Sequence, residues 1–189
     1  MPTAVITGAN RGIGFELSRQ LQEKGYEIIA VCRERSDDLD QLGVHIEDGI
    51  DITQRADLER LAKRVSETTI DLLINNAGVL RSTSLDSIED ELDAFRLQYE
   101  VNSLAPLRVT RALMRRLADG GKVVIITSRM GSIADNTSGG AFGYRMSKAA
   151  VNTAGVSLAH ELKGRGIAVG LLHPGYVRTG MTNRTGQIG

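Results

Sequence analysis

A tyrosine and a lysine four positions apart, Tyr144 and Lys148, are the residues in this sequence best suited to proton transfer. At this spacing both side chains lie on one face of a helix. A lysine ammonium beside a phenol favours the phenolate, and so lowers the tyrosine pKa from its free value of about 10. The phenol can then exchange a proton with a substrate oxygen near neutral pH. The alternative is that Tyr144 is an ordinary residue of an amphipathic helix.

A serine hydroxyl precedes this pair at Ser128, directly after the apolar run 123–127. A hydroxyl at the carboxyl end of a buried strand either faces the crevice in which ligands bind or caps a turn. The small residues 138–141 lie between Ser128 and Tyr144. We expect this stretch to border a substrate pocket, because its small side chains leave room for a ligand.

Three glycines, Gly8, Gly12 and Gly14, follow the first apolar run. Glycine suits a turn that needs a positive φ or a close approach to a pyrophosphate, and the helix that follows offers free N–H groups and a partial positive charge. An ordinary strand-to-helix turn is the alternative. The turn predicts a dinucleotide site whose candidate contacts are Gly8, Asn10, Arg11, Gly12, Ile13 and Gly14.

Basic residues stand where the adenosine ribose of a dinucleotide would lie. The second apolar run ends at Cys32, and Arg33 follows it directly. Arg11 lies within the glycine turn. An acidic residue at this strand end would bind the 2′-hydroxyl of NAD, whereas two guanidiniums suit a 2′-phosphate. The sequence therefore predicts NADP(H) as the cofactor. Two alternatives stay open: Arg33 is a solvated loop charge, or Glu34 accepts a ribose hydroxyl.

Polar residues also follow the third and fourth apolar runs. Asp51 and Ile52 are candidate adenine contacts, although Asp51 or Thr53 could simply cap the next helix. The fourth run leads into Asn-Asn-Ala-Gly at 75–78, whose adjacent amides can tie neighbouring strand ends together while the small residues let a cofactor approach. A plain turn is the alternative for this motif.

Short runs rich in Val and Ile are the predicted strands that position these residues. They are continuous rather than alternating, which is typical of strands buried on both faces of a parallel sheet. Helix-length amphipathic stretches separate them, so the pattern indicates a doubly wound α/β fold of the Rossmann type, with helices on both faces of the sheet. In such folds ligands bind beyond the carboxyl ends of the strands. The predicted strands are 3–7, 27–32, 44–50, 70–74, 122–127 and 167–172.

The helices between these strands are predicted from four-residue apolar spacing and from capping residues. The first contains Ile13, Leu17 and Leu21 and ends before Gly25, a candidate C-terminal cap. Thr53 is a candidate N-cap of the second helix. The remaining predicted helices cover 56–65, 88–100, 106–117 and 142–163, and Gly164 ends the last one.

The length and composition of the chain are those of one globular domain, with 189 residues, 41% apolar and 24% charged. Its 23 basic and 23 acidic residues cancel, so charge does not favour nucleic acid or an anionic membrane, and no run is apolar enough to cross a bilayer. Cys32 is the single cysteine, so an intramolecular disulfide is excluded. With one cysteine and three scattered histidines, the sequence offers no cluster of zinc ligands. We therefore expect one cytoplasmic domain over residues 1–189 with no resident metal.

The order of these motifs resembles the short-chain dehydrogenase/reductase family over essentially the whole chain. The glycine spacing Gly-x-x-x-Gly-x-Gly, the Asn-Asn-Ala-Gly motif, Ser128, the Tyr-x-x-x-Lys pair and Pro174-Gly175 all occur in the family's order. The local sequences Ser-Arg-Met-Gly-Ser at 128–132 and Tyr-Arg-Met-Ser-Lys at 144–148 are most similar to the C-factor/sniffer-like carbonyl reductase branch.

The resemblance implies a carbonyl/alcohol oxidoreductase in which Tyr144 transfers the proton and Ser128 hydrogen-bonds the substrate oxygen. It implies that Lys148 lowers the Tyr144 pKa and binds the nicotinamide ribose. It further implies that Asn102 holds a water joining Lys148 to a proton relay. Hydride transfer is the cofactor's chemistry. The other cofactor contacts implied by the family are Asn75, Ala77, Gly78, Pro174, Gly175, Val177 and Thr179.

The resemblance also implies a small-molecule carbonyl or alcohol substrate and a homodimer or homotetramer formed through the helices at 106–117 and 142–163. Apolar residues of the second helix could serve that interface or the core; they are Val151, Ala154, Leu158 and Leu162. The family continues past strand six with a substrate-covering segment, another helix and a seventh strand, which we expect beyond Gly189.

Two other functions compete with this prediction. One is a catalytically silent signalling or scaffold protein that binds NAD(P) on the same fold, which the intact Ser128, Tyr144 and Lys148 disfavour. The other is an epimerase on an extended version of the fold, which the short chain disfavours. The sequence does not name the substrate or the direction of the reaction.

Overall fold

A six-stranded, all-parallel sheet in the order β3-β2-β1-β4-β5-β6 forms the centre of the molecule. We describe it from a computed structural model, which covers residues 1–182 and 184–188. The order reverses at β1, where the chain crosses from β3 to β4, and ligands bind at such a switch point. The strands are β1 Thr3–Thr7, β2 Glu27–Val31, β3 His45–Glu47, β4 Ile70–Asn75, β5 Leu117–Ile126 and β6 Ala168–Leu172.

Helices cover both faces of the sheet, so the predicted doubly wound α/β fold is confirmed. The α-helices of the described ranges are α1 Gly12–Glu23, α2 Asp37–Gln41, α3 Arg55–Arg64, α4 Leu92–Tyr99, α5 Ala105–Leu113 and α6 Phe142–Leu162. Strand side chains alternate between two cores: Ile6 packs with α1 and α2, whereas Val5 packs with α3, α5 and α6. Burying each such aliphatic side chain contributes about 1.5–3 kcal/mol.

Several predicted boundaries were wrong where a glycine or a π-turn interrupts the pattern. Strand β3 is His45–Glu47 rather than 44–50, because Gly49 adopts φ +68° and turns the chain. The predicted helix 88–100 is α4, which starts at Leu92 and continues into a π-turn at Glu100–Leu104. The predicted helix 106–117 ends early, and Leu117 instead begins β5, five residues before the predicted strand 122–127.

A short helix, α2, was missed because it is only five residues long and mostly acidic. The hydroxyl of Ser36 accepts a hydrogen bond from the Leu39 N–H at 3.3 Å and caps this helix. Leu39 is fully buried. One buried leucine and a cap therefore hold a segment whose sequence lacks helical periodicity.

The predicted helix ends had mixed outcomes. Gly25 follows the end of α1 with φ +85°, as predicted. Thr53 is not the N-cap of α3; Gln54 occupies that position, and Thr53 bonds to Asp51 instead. Gly164 does not end α6, because the chain continues in a 3₁₀ turn, Lys163–Arg165, to Gly166, which has φ +66°.

The apolar side of α6 faces the core. Val151, Leu158 and Leu162 are buried in the cluster that lines the α3, α5 and α6 face of the sheet. Of the two roles left open for these residues, the core is therefore the one they serve. Within the described ranges, no helix has the length and apolarity to cross a membrane, and no three His, Cys, Asp or Glu side chains are grouped as a metal site would require.

Candidate active site

The glycine turn after β1 forms a cradle of exposed backbone. Gly8 and Gly12 have φ values of +66° and +55°, a conformation that side-chain-bearing residues rarely adopt. A Cβ on Gly14 would overlap the Gly8 carbonyl oxygen, so the first turn of α1 packs directly on the end of β1. Helix α1 has no side-chain cap at Arg11, which leaves its first N–H groups available to an anion. The turn therefore fits a pyrophosphate.

Two side chains fasten this turn to β4. The Thr7 hydroxyl accepts hydrogen bonds from the Asn76 and Ala77 N–H groups at 3.0 and 3.2 Å. The Asn76 side-chain amide donates to the Thr7 and Gly8 carbonyls at 3.0 and 3.1 Å. Asn76 was not among the predicted site residues, but it ties the ends of β1 and β4 together, which is the role expected of the adjacent amides in this motif. Ala77 lies against Gly8, where a Cβ would come within 2.9 Å of the Ala77 Cα.

The loop after β2 presents Arg33 and Glu34 beside the glycine turn. The Asn10 amide donates to the Glu34 carbonyl at 3.0 Å, and the Ser36 hydroxyl donates to the Asn10 carbonyl at 2.7 Å. Asn10 therefore braces the two loops. Across the described part of the chain, neither Arg11 nor Arg33 forms an ion pair, and both are exposed.

Arg35, two positions further along the loop, is differently placed. Its guanidinium pairs with Asp48 at 3.1 Å and with Asp40 at 3.4 Å. These carboxylates raise the pKa of Arg35. A guanidinium already held by two carboxylates has fewer donors left for a phosphate. Arg35 is therefore less suited to bind a phosphate than Arg11 and Arg33 are.

Asp51 forms a local turn before α3. One carboxylate oxygen accepts from the Thr53 N–H at 2.9 Å and from the Thr53 hydroxyl at 2.7 Å. Within residues 1–182 and 184–188 its second oxygen accepts no hydrogen bond. Ile52 beside it is buried. Asp51 thus shapes the turn with one carboxylate oxygen, while the second accepts no hydrogen bond from the described residues.

The residues of the Asn-Asn-Ala-Gly motif diverge in the structure. Asn75 is buried and donates from its side-chain amide to the Thr110 hydroxyl on α5 at 3.2 Å. Its side-chain oxygen has no hydrogen-bond partner among the described residues. The Asn75 side chain therefore faces α5 rather than the glycine turn. Gly78 does reach the predicted catalytic residues, because a Cβ there would lie 3.2 Å from the Asn102 oxygen and 3.8 Å from the Lys148 Nζ.

Tyr144 and Lys148 meet on the first turns of α6, as their spacing predicted. The Lys148 Nζ lies 5.7 Å from the centre of the Tyr144 ring. It also donates to the Ile126 carbonyl at the end of β5, at 2.9 Å. Lys148 is only 4% exposed, so the protein holds an ammonium group in a largely buried position.

Burial shifts the pKa values of this pair. It lowers the pKa of Lys148 to about 8, because the charged ammonium loses its hydration. It raises the pKa of the Tyr144 phenol, and the neighbouring Ser128 hydroxyl opposes that shift. The sequence had predicted a lowered Tyr144 pKa from the lysine alone. The prediction was wrong, because loss of hydration raises the Tyr144 pKa and the group that opposes it is the Ser128 hydroxyl rather than the lysine.

Ser128 stands at the carboxyl end of β5. Its hydroxyl accepts from the Met130 N–H at 3.1 Å and caps the 3₁₀ turn Arg129–Gly131. The two roles considered for this hydroxyl therefore coincide, since it caps a turn and also neighbours the Tyr144 phenol. A cleft of about 530 Å³ opens from Ser128 between this turn, α6 and the end of β6.

Asn102 lies in the π-turn between α4 and α5. Its side-chain oxygen accepts from the Val79 N–H at 2.8 Å, and its amide donates to the Val79 carbonyl at 2.9 Å and to the Ser147 hydroxyl at 3.0 Å. π-Turns often mark functional positions in helices. Here the turn aims a buried amide at α6 and fixes the segment after Gly78.

The segment after β6 closes over the glycine turn. Pro174 is followed by Gly175 with φ +87°. Thr179 reaches the glycine turn, since a Cβ on Gly12 would lie 3.3 Å from the methyl group of Thr179. Val177 instead forms an isolated parallel bridge with Ile188. Of these predicted contacts, Thr179 is the one that the fold brings to the glycine turn.

A family profile described as short chain dehydrogenase matches residues 2–187. The chain belongs to the short-chain dehydrogenase family. Its membership places it among oxidoreductases, as the motif order predicted. The motifs follow the order that is typical of the family, and the sheet has the family's type of fold. These motifs are the glycine turn, the Asn-Asn-Ala-Gly segment, Ser128 and the Tyr144–Lys148 pair.

Two curated relatives within the short-chain dehydrogenases have high identity. The 1-hydroxy-2-glutathionyl-2-methyl-3-butene dehydrogenase of a Rhodococcus strain is 42% identical over 184 residues, covering 96% of this chain and 80% of that protein. The C-signal protein of Myxococcus xanthus is 44% identical over 126 residues, covering 66% and 75%. The second match confirms the predicted similarity to the C-factor branch.

A solved structure within the short-chain dehydrogenases has the same fold throughout. It is a short-chain dehydrogenase/reductase of Burkholderia multivorans with bound NADP, with a TM-score of 0.92 and 31% identity. The alignment covers 99% of this chain and 84% of that one. The sheet order and the position of the glycine turn thus agree with an experimentally determined cofactor-bound relative.

Several buried polar residues that were not predicted as site residues are what sequence reasoning missed. Ser147 is fully buried and accepts from Asn102, while the Ser103 hydroxyl donates to the Ser147 carbonyl at 2.7 Å. Gln98 and Thr83 are buried between α4 and α6. Gln98 is a polar residue at a helix position where an apolar one would be expected, whereas Thr83 lies in a loop and has no signal in the sequence.

Proposed function

We propose that this chain is an NADP(H)-dependent oxidoreductase that interconverts a carbonyl and an alcohol, with Tyr144 as its general acid and base. The observation that carries the proposal is the meeting of Tyr144 with the buried Lys148 at the carboxyl edge of the sheet. Bound NADP(H) would deliver a hydride to the carbonyl carbon or take one from the alcohol carbon. The whole chain, 1–189, acts as one cofactor-binding domain in this proposal.

The residues divide the remaining work by their positions. In reduction the Tyr144 phenol donates its proton to the substrate oxygen while the Ser128 hydroxyl donates a hydrogen bond to it. The Lys148 ammonium stabilises the phenolate that remains, and its further N–H donors can reach the nicotinamide ribose. Asn102 holds the π-turn beside Lys148 and is proposed to place the water of the proton relay.

The phosphate and adenosine contacts follow from the glycine cradle. Gly8, Gly12 and the first N–H groups of α1 would hold the pyrophosphate, because both glycines turn the backbone with positive φ and no side chain caps the start of the helix. Arg11 and Arg33 would bind a 2′-phosphate, since both are exposed beside the ribose position. The relative with bound NADP supports this choice of cofactor.

Arg33→Ala is expected to weaken NADPH binding about tenfold or more and to leave NADH binding nearly unchanged, because one charge-assisted phosphate contact is lost. Fluorescence titrations of both cofactors would measure this. Arg35→Ala is the matched control, since its guanidinium is held by Asp40 and Asp48. Equal NADH and NADPH affinities in the unmodified protein would contradict the proposal and direct attention to Glu34.

The proposed substrate is a small molecule with a carbonyl or a secondary or primary alcohol. The Rhodococcus relative is named for the oxidation of an alcohol that carries a glutathionyl group, which makes such conjugates a reasonable first set to screen. Turnover would be followed by the change in NADPH absorbance in both directions. The similarity to the C-signal protein is the observation that favours the alternative, a catalytically silent signalling protein. Tight cofactor binding without any turnover would support that alternative.

We also propose a homodimer or homotetramer. The interface was predicted on the helices at 106–117 and 142–163, but α5 carries none of the exposed large apolar side chains found in the described ranges, so we propose α6 together with α4, which precedes α5. Leu97 and Met146 on these helices are exposed, Met146 by 61%, so the apolar surface suits an interface. Sedimentation should give a mass at least twice that of the chain, and Met146→Glu together with Leu97→Glu should reduce it to the monomer. A monomeric wild-type chain would refute this.

A cytoplasmic location is proposed because Cys32 is a buried free thiol.

A further inference from the structure

The helix that carries Tyr144 begins without a capping side chain of its own. Its N-cap residue is Ala141, which has no side-chain acceptor and adopts φ +47°. Gly139 and Gly140 before it also have positive φ values, 62° and 65°. Tyr144 is the third residue of α6 and so lies in the first turn, where unsatisfied N–H groups make a helix fray most readily.

The missing cap is supplied from a distant part of the chain. The Thr83 hydroxyl accepts a hydrogen bond from the Gly143 N–H at 3.0 Å, across 60 positions of sequence. Thr83 is 4% exposed and Gly143 is buried. Gly143 directly precedes Tyr144, so this bond acts on the backbone that carries the phenol.

The segment that contains Thr83 is itself held at every second residue. Val79 bonds through both backbone groups to the Asn102 side chain, and the Arg81 N–H donates to the Gln98 side-chain oxygen at 2.9 Å. Thr83 is the next alternate position. The segment therefore runs from Gly78, beside Lys148, to α6 as an extended brace.

Close packing leaves α6 little freedom at this point. Gln98 is 0% exposed, and a Cβ on Gly143 would come within 2.6 Å of its side-chain nitrogen. On the other side, Arg145 donates to the Gly140 carbonyl at 3.1 Å and to the Ser138 hydroxyl at 2.9 Å. Arg145 holds the loop before α6, whereas only Thr83 satisfies the Gly143 N–H among the described contacts.

We infer that Thr83 is a positioning residue, which caps α6 from the opposite wall of the site and thereby holds the Tyr144 phenol at its working position. The catalytic part of this inference rests on the proposed function of Tyr144. The capping part does not, and it can be measured in a protein that turns over no substrate. Loss of the cap should let the first turn of α6 open, so that Tyr144 is misplaced without any change in the glycine cradle.

Thr83→Val removes the hydroxyl and keeps the shape, and Thr83→Ser keeps the hydroxyl. Thr69→Val, an exposed threonine before β4, is the control. We expect Thr83→Val to lower kcat about tenfold with the KM for NADPH changed less than about twofold, and to move the alkaline limb of the pH profile. Thr83→Ser should restore both. In the folded wild type, the Gly143 amide should exchange with solvent far more slowly than the amide of Gly140, which is exposed and donates no hydrogen bond to the described residues.

Each outcome decides the inference. Wild-type kcat and pH profile in Thr83→Val would overturn it, and so would rapid exchange of the Gly143 amide in the wild type, a measurement that stands even if Thr83→Val does not fold. Equal loss in Thr83→Ser and Thr83→Val would also overturn it, since the hydroxyl would then be irrelevant. If the wild type shows no turnover, the proposed function fails, while Gly143 exchange and the ultraviolet titration of Tyr144 in both variants still test the cap.

Discussion

Tyr144→Phe is expected to reduce turnover by about a thousandfold or more while leaving NADPH affinity within about twofold of wild type. The change removes the phenolic oxygen of Tyr144 and leaves the ring that lies beside Lys148. General acid–base catalysis by a positioned side chain contributes about 10²–10⁴ in rate. Steady-state kinetics with a reducible carbonyl, together with NADPH titration, would measure the two effects separately.

The pH dependence offers an independent check on the role of Tyr144. Burial raises the pKa of this phenol, so the protonated form that reduction requires persists through neutral pH. The rate of reduction should therefore be level at neutral pH and fall on the alkaline side, whereas the rate of oxidation should rise there. Tyr26→Phe, on a tyrosine at the opposite end of the strands, is the control. Turnover that survives Tyr144→Phe would remove Tyr144 from the mechanism.

Lys148→Met is expected to lower activity about a hundredfold or more and to stabilise the fold. Activity should fall because the ammonium no longer favours the phenolate of Tyr144. Stability should rise because the lysine is buried with a pKa of about 8, well below its unfolded value of about 10.4. At pH 7 the folded chain holds a poorly hydrated charge that methionine would remove.

The sign of this effect follows from proton linkage. Between about pH 8 and the unfolded pKa of about 10.4, the unfolded chain binds more protons at this site than the folded chain. The wild type should therefore gain stability from Lys148 as pH rises through that window, and the variant should not. At pH 7 the net gain in unfolding free energy should be about 2 kcal/mol, after allowance for the lost hydrogen bond to the Ile126 carbonyl.

Denaturant unfolding at pH 7 and pH 9.5 would measure the stability change. Lys163→Met, an exposed lysine directly after α6, is the matched control and should change neither stability nor activity. A destabilised Lys148→Met at pH 7 would show that the hydrogen bond to β5 outweighs the desolvation of the ammonium. Full activity in this variant would contradict the proposed role of the lysine.

The proposed active site lowers the stability of the fold that holds it, because it buries ionisable groups. The ammonium of Lys148 is buried where hydration is lost, and the phenol of Tyr144 is half-buried beside it. Both arrangements disfavour the charged forms that the proposed chemistry requires. Bound cofactor and substrate would complete the environment of these groups, which is consistent with the general trade-off between stability and activity at functional sites.

The sequence by itself determined the features that depend on short spacing. Tyr144 and Lys148 had to share a helix face, because four residues make about one helical turn. Gly8 and Gly12 marked a turn that needs positive φ, and their φ values agree. The buried Val- and Ile-rich runs determined a parallel sheet, since only strands covered on both faces are continuously apolar. The fold class and the proximity of Tyr144 and Lys148 could thus be predicted from local pattern.

Only the tertiary structure decided which neighbouring residues face the site. Arg33 and Arg35 look alike in sequence, yet Arg35 is held by carboxylates from two other segments. Asn75 and Asn76 are adjacent, yet one faces α5 and the other joins β1 to β4. Thr83 had no sequence signal at all, because its partner is 60 positions away. Hydrogen bonds and ion pairs between distant segments depend on how the helices pack on the sheet, and no local periodicity records that arrangement.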